Sequence, residues 1–525
     1  LLRHPAITAL GASTIVLLVV LVSLASPLHS EFYHLIGPVR AVAVPVFLNF
    51  AAVWLVLSLL LAWGRSHPRF NSWLWSGLGV GLSWKIITNW YVLHESPVPV
   101  VVKTIFLGVV CLIFFTWVAW RSRIRPILYR AQQLAVPILG FVALSGMAMI
   151  VQSVFFTWQA RHLNAPRPLH QRRGDSASSP RRGRIIWILF DELSYRQVYE
   201  HRYQGLELPA FTQLARTATV FTHTVPSGVY TEQVLPSLMT GDRYDGVRPA
   251  AAGWPLEVHN RSAGMWETFN PRKTVFQDAL DAGYSTAIAG WYNPYCRILP
   301  EVLDRCFWTN HTVVPGDMYP EQSILWNSEQ PVIGHLVNLA RSFHLFPRQN
   351  GPSNPIRFHQ QDYRELAGAG DELLRDPSAD FILLHMPIPH PGGIYNRRTG
   401  NFEVSHPNYI DNLALCDVYL AHVRHELEEN GTWDNSTLVI MGDHSWRVKL
   451  FWAKSPDWTE EERIASNNVT FDDRPGYIVK LPGQTTPSQI DEPFESMRTR
   501  ELFDKLLKGQ IKTPEQLRTW VTQRP

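Results

Sequence analysis

Three short stretches of this chain hold side chains whose types suit joint chemistry. Asp191 and Glu192 follow an apolar run, Thr231 lies within SGVYTEQVLPSLMTG, and Asp443 and His444 follow a second apolar run. Carboxylate oxygens with one imidazole suit a Zn²⁺ or Mn²⁺ site with an open position, and the hard oxygens are also compatible with Ca²⁺ or Mg²⁺. A hydroxyl joined to such a set becomes a metal-activated nucleophile, with an alkoxide accessible near neutral pH. Taken singly, each piece is ordinary. An Asp-Glu after a strand commonly caps a helix, and an Asp-His pair is commonly structural. Their order and spacing along one chain are what point to a single site.

The surrounding elements fit that grouping. RIIWILFDELSY reads as a buried parallel strand over 185–190 that ends on the two carboxylates. TVFQDALDAGYSTAIAG reads as helix, glycine stop and strand, and DFILLHMPIPHP as a strand running into a proline-rich loop. Residues 409–429 form an amphipathic helix closed by Asn430-Gly431, and TLVIMGDH is a further strand ending in Asp-His. Alternating helices and apolar strands predict an α/β domain with a mainly parallel sheet, whose ligands sit at the carboxyl ends of the strands.

With 525 residues the chain exceeds one ordinary hydrophobic core, and its two parts differ in character. Residues 1–158 are predicted to be an α-helical membrane domain of about five spans, near 6–27, 41–63, 72–92, 99–120 and 133–157. Residues 159–184 read as an Arg/Pro/Ser-rich linker, and 185–525 as the catalytic domain. Arg3, Arg65, Arg69, Arg121, Arg123, Arg125 and Arg130 fall on one side of a five-span arrangement. The positive-inside rule makes that side cytoplasmic and puts the catalytic domain outside. The linker carries seven arginines on the other side, which would face anionic headgroups there. A net charge of +3 with arginines clustered near the membrane gives no case for nucleic acid. Four cysteines are too few for a disulfide scaffold. Cys296 and Cys306 are either a local disulfide in an oxidising compartment or two free thiols.

ILFDELSY, LPAFTQLARTATVFTHTVPSGVYTEQVLPSLMTG, GYSTAIAGWYNPY, LLHMPIPHP and VIMGDHSWR together resemble the phosphoethanolamine and glycerol-phosphate transferases of bacterial envelopes, within the alkaline phosphatase and sulfatase superfamily. The resemblance spans roughly 184–510 and extends to a multi-span anchor ahead of the catalytic domain. It implies an alkaline phosphatase-like α/β/α sandwich. It also implies one metal bound by Asp191 or Glu192, Thr231, Asp443 and His444, with Asp191 favoured and Glu192 a second ligand or a supporting group. Sulfatases of this superfamily carry Cys or Ser in a C/S-x-P-x-R segment. Here Thr231-Glu232-Gln233-Val234-Leu235 stands in its place, which favours phosphoryl over sulfuryl chemistry. No histidine follows His444, which favours a single tightly held ion.

The expected reaction is attack by Thr231 on a phosphodiester, leaving a substituted phosphothreonine that a second alcohol or water resolves. His390 is the candidate for protonating the leaving oxygen or binding a phosphate oxygen, and Arg447 the candidate for a bidentate phosphate contact. His385 reads as a core histidine, and Cys416 and Asp417 as packing or helix-surface residues. The expected donor is a membrane phospholipid and the expected acceptor an envelope glycan or lipid, at a bacterial inner membrane with the catalytic domain periplasmic. A phosphodiesterase or phosphatase using water, a sulfuric-ester hydrolase, and a degenerate membrane-anchored binding module are the alternatives.

Overall fold

The computed structural model describes residues 4–25, 40–94, 98–119, 121–160, 183–249, 256–311, 354–403, 408–455, 457–469 and 473–523. Nearly all of the expected linker lies outside these residues. The chain divides into two compact units, one holding the N-terminal helices and the other the α/β elements from Arg184 onward.

The N-terminal unit contains α1 (Pro5–Val16), α2 (Leu18–Ala25), α3 (Arg40–Ser66), α4 (Pro68–Leu93), α5 (Val100–Ala119) and α6 (Arg121–Ala160). Among the described residues, two stretches are long and apolar enough to cross a bilayer, Val42–Ser66 and Tyr129–Ala160. Five spans were expected. α4 carries Arg69, Asn71, Lys85 and Asn89 along its length, and α1 and α2 are separate short helices. The arginine-bearing stretch 121–132, expected as a loop, is helical and continuous with the last span, with Pro126 and Pro137 accommodated inside α6. Small residues let α1 and α6 approach closely. A Cβ on Gly11 would lie 2.0 Å from the Leu139 carbonyl oxygen, and one on Gly146 equally close to Thr14 Oγ1.

The second unit is built on an eight-stranded sheet. Its strands are β1 (Ile185–Asp191), β2 (Thr219–Phe221), β3 (Thr286–Trp291), β4 (Arg305–Thr309), β5 (Phe381–Pro389), β6 (Thr437–Gly442), β7 (Tyr477–Lys480) and β8 (Ser488–Ile490). They lie in the order β8-β2-β7-β6-β1-β5-β3-β4. From β6 to β4 all neighbours are parallel, whereas β7 runs antiparallel to both β6 and β2. The parallel strands are the continuous apolar runs of the sequence, since both faces are covered and every residue of β1, β5 and β6 is buried.

Helices α7 (Pro209–Ala215), α8 (Thr231–Thr240), α9 (Val275–Asp281), α10 (Asn354–Arg375) and α11 (Tyr409–Glu429) complete the frame. α11 matches its expected bounds. Asn408 caps it by accepting from the Asp411 N–H. Asp417, at a mid-helix position, accepts from the Ala210 and Phe211 N–H groups at 3.1 and 2.8 Å and so holds the start of α7. Cys416 beside it is buried in the core. Cys296 and Cys306 form a disulfide with their Cα atoms 5.6 Å apart, tying the turn after β3 to β4.

Candidate active site

Register brings the chemistry to one edge of the sheet. Phe190 pairs with Gly442, Asp191 with Pro389, and Gly290 with His385. The residues leaving β6, β1, β5 and β3 are therefore neighbours: Asp443-His444, Asp191-Glu192, His390 and Trp291-Tyr292. Gly442 is required at its position, because a Cβ there would lie 2.7 Å from the Leu193 carbonyl oxygen and 2.9 Å from that of His444. Thr231 arrives from elsewhere in the chain as the first residue of α8, where the helix N-terminus favours negative charge on its oxygen.

These side chains meet. Thr231 Oγ1 lies 2.8 Å from Asp443 Oδ2, 3.3 Å from Asp191 Oδ2 and 3.4 Å from His444 Nε2. All four residues are buried. Backbone N–H groups of Glu192 and His444 donate to Asp443 Oδ1 at 3.1 and 2.8 Å, which fixes that carboxylate. His444 Nδ1 faces the Ser445 carbonyl at 3.1 Å, so the proton is assigned to Nδ1. Nε2 faces Thr231 Oγ1 and Asp443 Oδ2, the latter 3.1 Å away.

A divalent cation fits this arrangement. Asp191 Oδ1 is buried without a hydrogen-bond partner. Burial, and then the Asp443 charge, push the Asp191 carboxyl well above its usual range. Asp191, Glu192 and His444 each offer a donor atom within 4.8 Å of the others.

Glu192, however, is already committed. Its carboxylate accepts from the Arg447 backbone N–H at 3.1 Å, from Arg447 Nε at 2.7 Å and from Trp452 Nε1 at 2.9 Å, and Arg447 Nη2 is 2.5 Å away. The donor set left facing Thr231 is Asp191, Asp443 and His444, with Glu192 in the supporting position. The same bonds redirect Arg447, which was expected to hold a phosphate oxygen. Its guanidinium clamps Glu192 and, through Nη1, the Val229 carbonyl at 3.1 Å, joining the turn before Thr231 to the loop after His444. Left-handed backbone at Glu192, φ 69°, is what sends two adjacent acids to different partners. Tyr409, stacked on Trp446 at 4.1 Å, secures this turn by donating to the Glu192 carbonyl at 2.8 Å.

His390 leaves β5 into an aromatic surround. Its ring meets Trp291, Trp452 and His359 nearly edge-on, at 5.4, 5.2 and 6.0 Å between centroids. Nδ1 faces the Pro391 carbonyl at 2.8 Å, and Asn412 donates to the His390 carbonyl. Burial, and then the neighbouring His359 and Arg447, hold its pKa well below the usual imidazole value, so the ring is neutral. His385 is a core histidine as expected, 2.7 Å from the Tyr295 hydroxyl through Nδ1, and burial lowers its pKa to about 4.

Sequence reasoning passed over Trp291, Trp452, His359 and Asp362. Trp291 stacks on His359 at 5.5 Å and donates through Nε1 to buried Asp362 at 3.0 Å. Trp291 ends a strand within the GWYNPY segment, which was a usable signal. Asp362, mid-helix in α10, offered none.

The chain matches the family model described as Sulfatase over residues 184–487. A comparison with curated proteins finds no match. Solved structures to which the chain is similar include Ps i-CgsB in complex with k-i-k-neocarrahexaose, with 16% identity over 64% of this chain and 74% of that one and a TM-score of 0.40. Phosphonate monoester hydrolase of Agrobacterium radiobacter shares 13% identity over 62% of this chain and 74% of its own, with a TM-score of 0.37. The lipoteichoic acid synthase LtaP from Listeria monocytogenes shares 13% identity over 64% and 74%, with a TM-score of 0.37. On the match over 184–487, the chain belongs to the sulfatase family.

Proposed function

We propose that this protein is a metal-dependent transferase that moves a phospho-substituent from a membrane phospholipid to an envelope glycan or lipid, through a phosphothreonine at Thr231. The observation that carries the proposal is the buried convergence of Thr231 Oγ1 on Asp191, Asp443 and His444. Those three residues with Thr231 would hold one divalent ion, Zn²⁺ or Mn²⁺ by donor type, with Ca²⁺ or Mg²⁺ as alternatives. When bound, the ion stabilises an alkoxide and neutralises charge on a phosphoryl oxygen.

In the first half-reaction Thr231 Oγ gives up its proton and forms a bond to phosphorus as the bond to the leaving alcohol oxygen breaks, and that oxygen takes up one proton in exchange. In the second, an acceptor alcohol attacks the same phosphorus, gives up its proton, and Thr231 Oγ departs. Neutral His390, with Nδ1 on a carbonyl, has Nε2 left as a proton acceptor for that second alcohol. Arg447 and Glu192 act by positioning: they fix the turn that presents Thr231. Thr in place of a formylglycine-forming Cys or Ser supports a phosphoester over a sulfate ester. The further parts of the reading are a five-span anchor, a bacterial inner-membrane location and a periplasmic catalytic domain, without a nucleic-acid partner. An extracytoplasmic setting is supported by the Cys296–Cys306 disulfide.

Product analysis tests the transfer step. Incubated with phospholipid vesicles and a soluble sugar alcohol, the metal-loaded protein is expected to give the phospho-substituted alcohol in preference to the free phospho-headgroup. Release of headgroup unaffected by the alcohol would make it a hydrolase instead.

A further inference from the structure

Beside the nucleophile, two segments present an apolar rim. Val229 and Tyr230 immediately precede Thr231 and are 41% and 36% exposed; Leu450 and Phe451, in the loop after His444, are 43% and 39% exposed. The segments form one surface. Arg447 Nη1 bonds the Val229 carbonyl, the Arg447 guanidinium lies 5.2 Å over the Phe451 ring, and the Tyr230 and Phe451 rings are 6.2 Å apart. Most of the catalytic unit's large apolar side chains are buried, so four exposed ones gathered beside Thr231 and the loop after His444 need a cause.

The flanking charge says what covers them. Exposed Lys449 and Lys454 bracket Leu450, Phe451 and Trp452. Of the acids that follow, Asp457 is exposed three residues beyond Lys454, whereas Glu460 pairs with Arg463 and Glu461 with Arg397 and Arg398. Apolar and aromatic side chains between lysines match an anionic lipid–water interface, where rings sit at headgroup depth and lysines meet lipid phosphates.

We propose that Val229, Tyr230, Leu450 and Phe451, with Lys449 and Lys454, form a docking surface for an anionic phospholipid bilayer that brings the headgroup phosphate to Thr231. This deepens the lipid-donor reading and, as to its purpose, rests on it. The surface itself is testable without catalysis.

The test places a polarity-sensitive fluorophore at Leu450→Cys in a Cys111→Ser background of the full chain, reconstituted into phosphatidylcholine vesicles with or without phosphatidylglycerol. Lipid-borne quenchers report contact with the bilayer. Quenching at 450 is expected with phosphatidylglycerol present and little at a reference label on Val418→Cys, an exposed position on α11. Lys449→Ala with Lys454→Ala should weaken the lipid-contacting state by about thirtyfold, the effect of two interfacial lysines. A label at 450 that stays aqueous in anionic vesicles, matches the reference site, or is shielded equally in lipid-free detergent by a second copy would overturn the proposal. Bilayer contact without any adduct on Thr231 would leave the docking surface standing and sink the lipid-donor reading.

Discussion

Adjacent acids at the end of β1 take different roles because the backbone turns left-handed between them. The sequence left open which of Asp191 and Glu192 faces the cation, since a positive φ at a glutamate has no sequence signature. It likewise offered Arg447 as a phosphate binder, because nothing in the one-dimensional pattern shows that its nearest acid is Glu192. Thr231, Asp191, Asp443 and His444 were legible because their spacing and residue types suffice to suggest a shared cation. Asp362 was not, and it bears a prediction. Burial pushes its carboxyl up to about 6, against bonds from Trp291, Thr309 and His311 that favour the charged form. A raised folded-state pKa means a contribution fully present below the ordinary value of 3.8 and lost as pH rises through about 6. The change is on the order of 3 kcal/mol. The melting temperature of Asp362→Asn relative to the unaltered chain should therefore climb between those two pH values and level off above them. A difference that stays constant across the range would rule this out.

At the scale of elements, the buried parallel strands β1, β5 and β6 and the helix α11 could be read directly, as continuous apolar runs and a long amphipathic period. β2, β7 and β8, of three or four residues each, were not read, because so short a stretch carries too little pattern. The 121–132 segment, expected as a loop on its arginines, is helical. What converts these elements into a site is their alignment at one edge, and Gly442 tests that. Gly442→Ala must displace either the Leu193 turn or the Asp443-His444 backbone. We expect a loss of about 1–3 kcal/mol by thermal or denaturant unfolding, the usual range for overpacking, together with reduced metal retention on dialysis. An unchanged stability and metal content would show that the strand end tolerates movement.

For the whole molecule, the charge asymmetry and apolar first third predicted an anchored enzyme, and among the described residues two helices meet the length and hydropathy of a span. The polar side chains of α4 lower its mean hydropathy, although Asn89 is paired within the helical unit, donating to the Ile15 carbonyl at 2.7 Å. The disulfide reports the compartment. In intact cells Cys296 and Cys306 should resist alkylation until reductant is added, and ready labelling without reductant would place the catalytic unit in a reducing space.

Peptide mass analysis of Thr231 weighs most on the account. After incubation of the metal-loaded chain with envelope phospholipids and no acceptor, the Thr231 peptide should gain the mass of one phospho-substituent, and Thr231→Ala should abolish both adduct and turnover. Turnover that persists in Thr231→Ala, or an adduct found on another residue, would contradict a nucleophile at the meeting point of Asp191, Asp443 and His444.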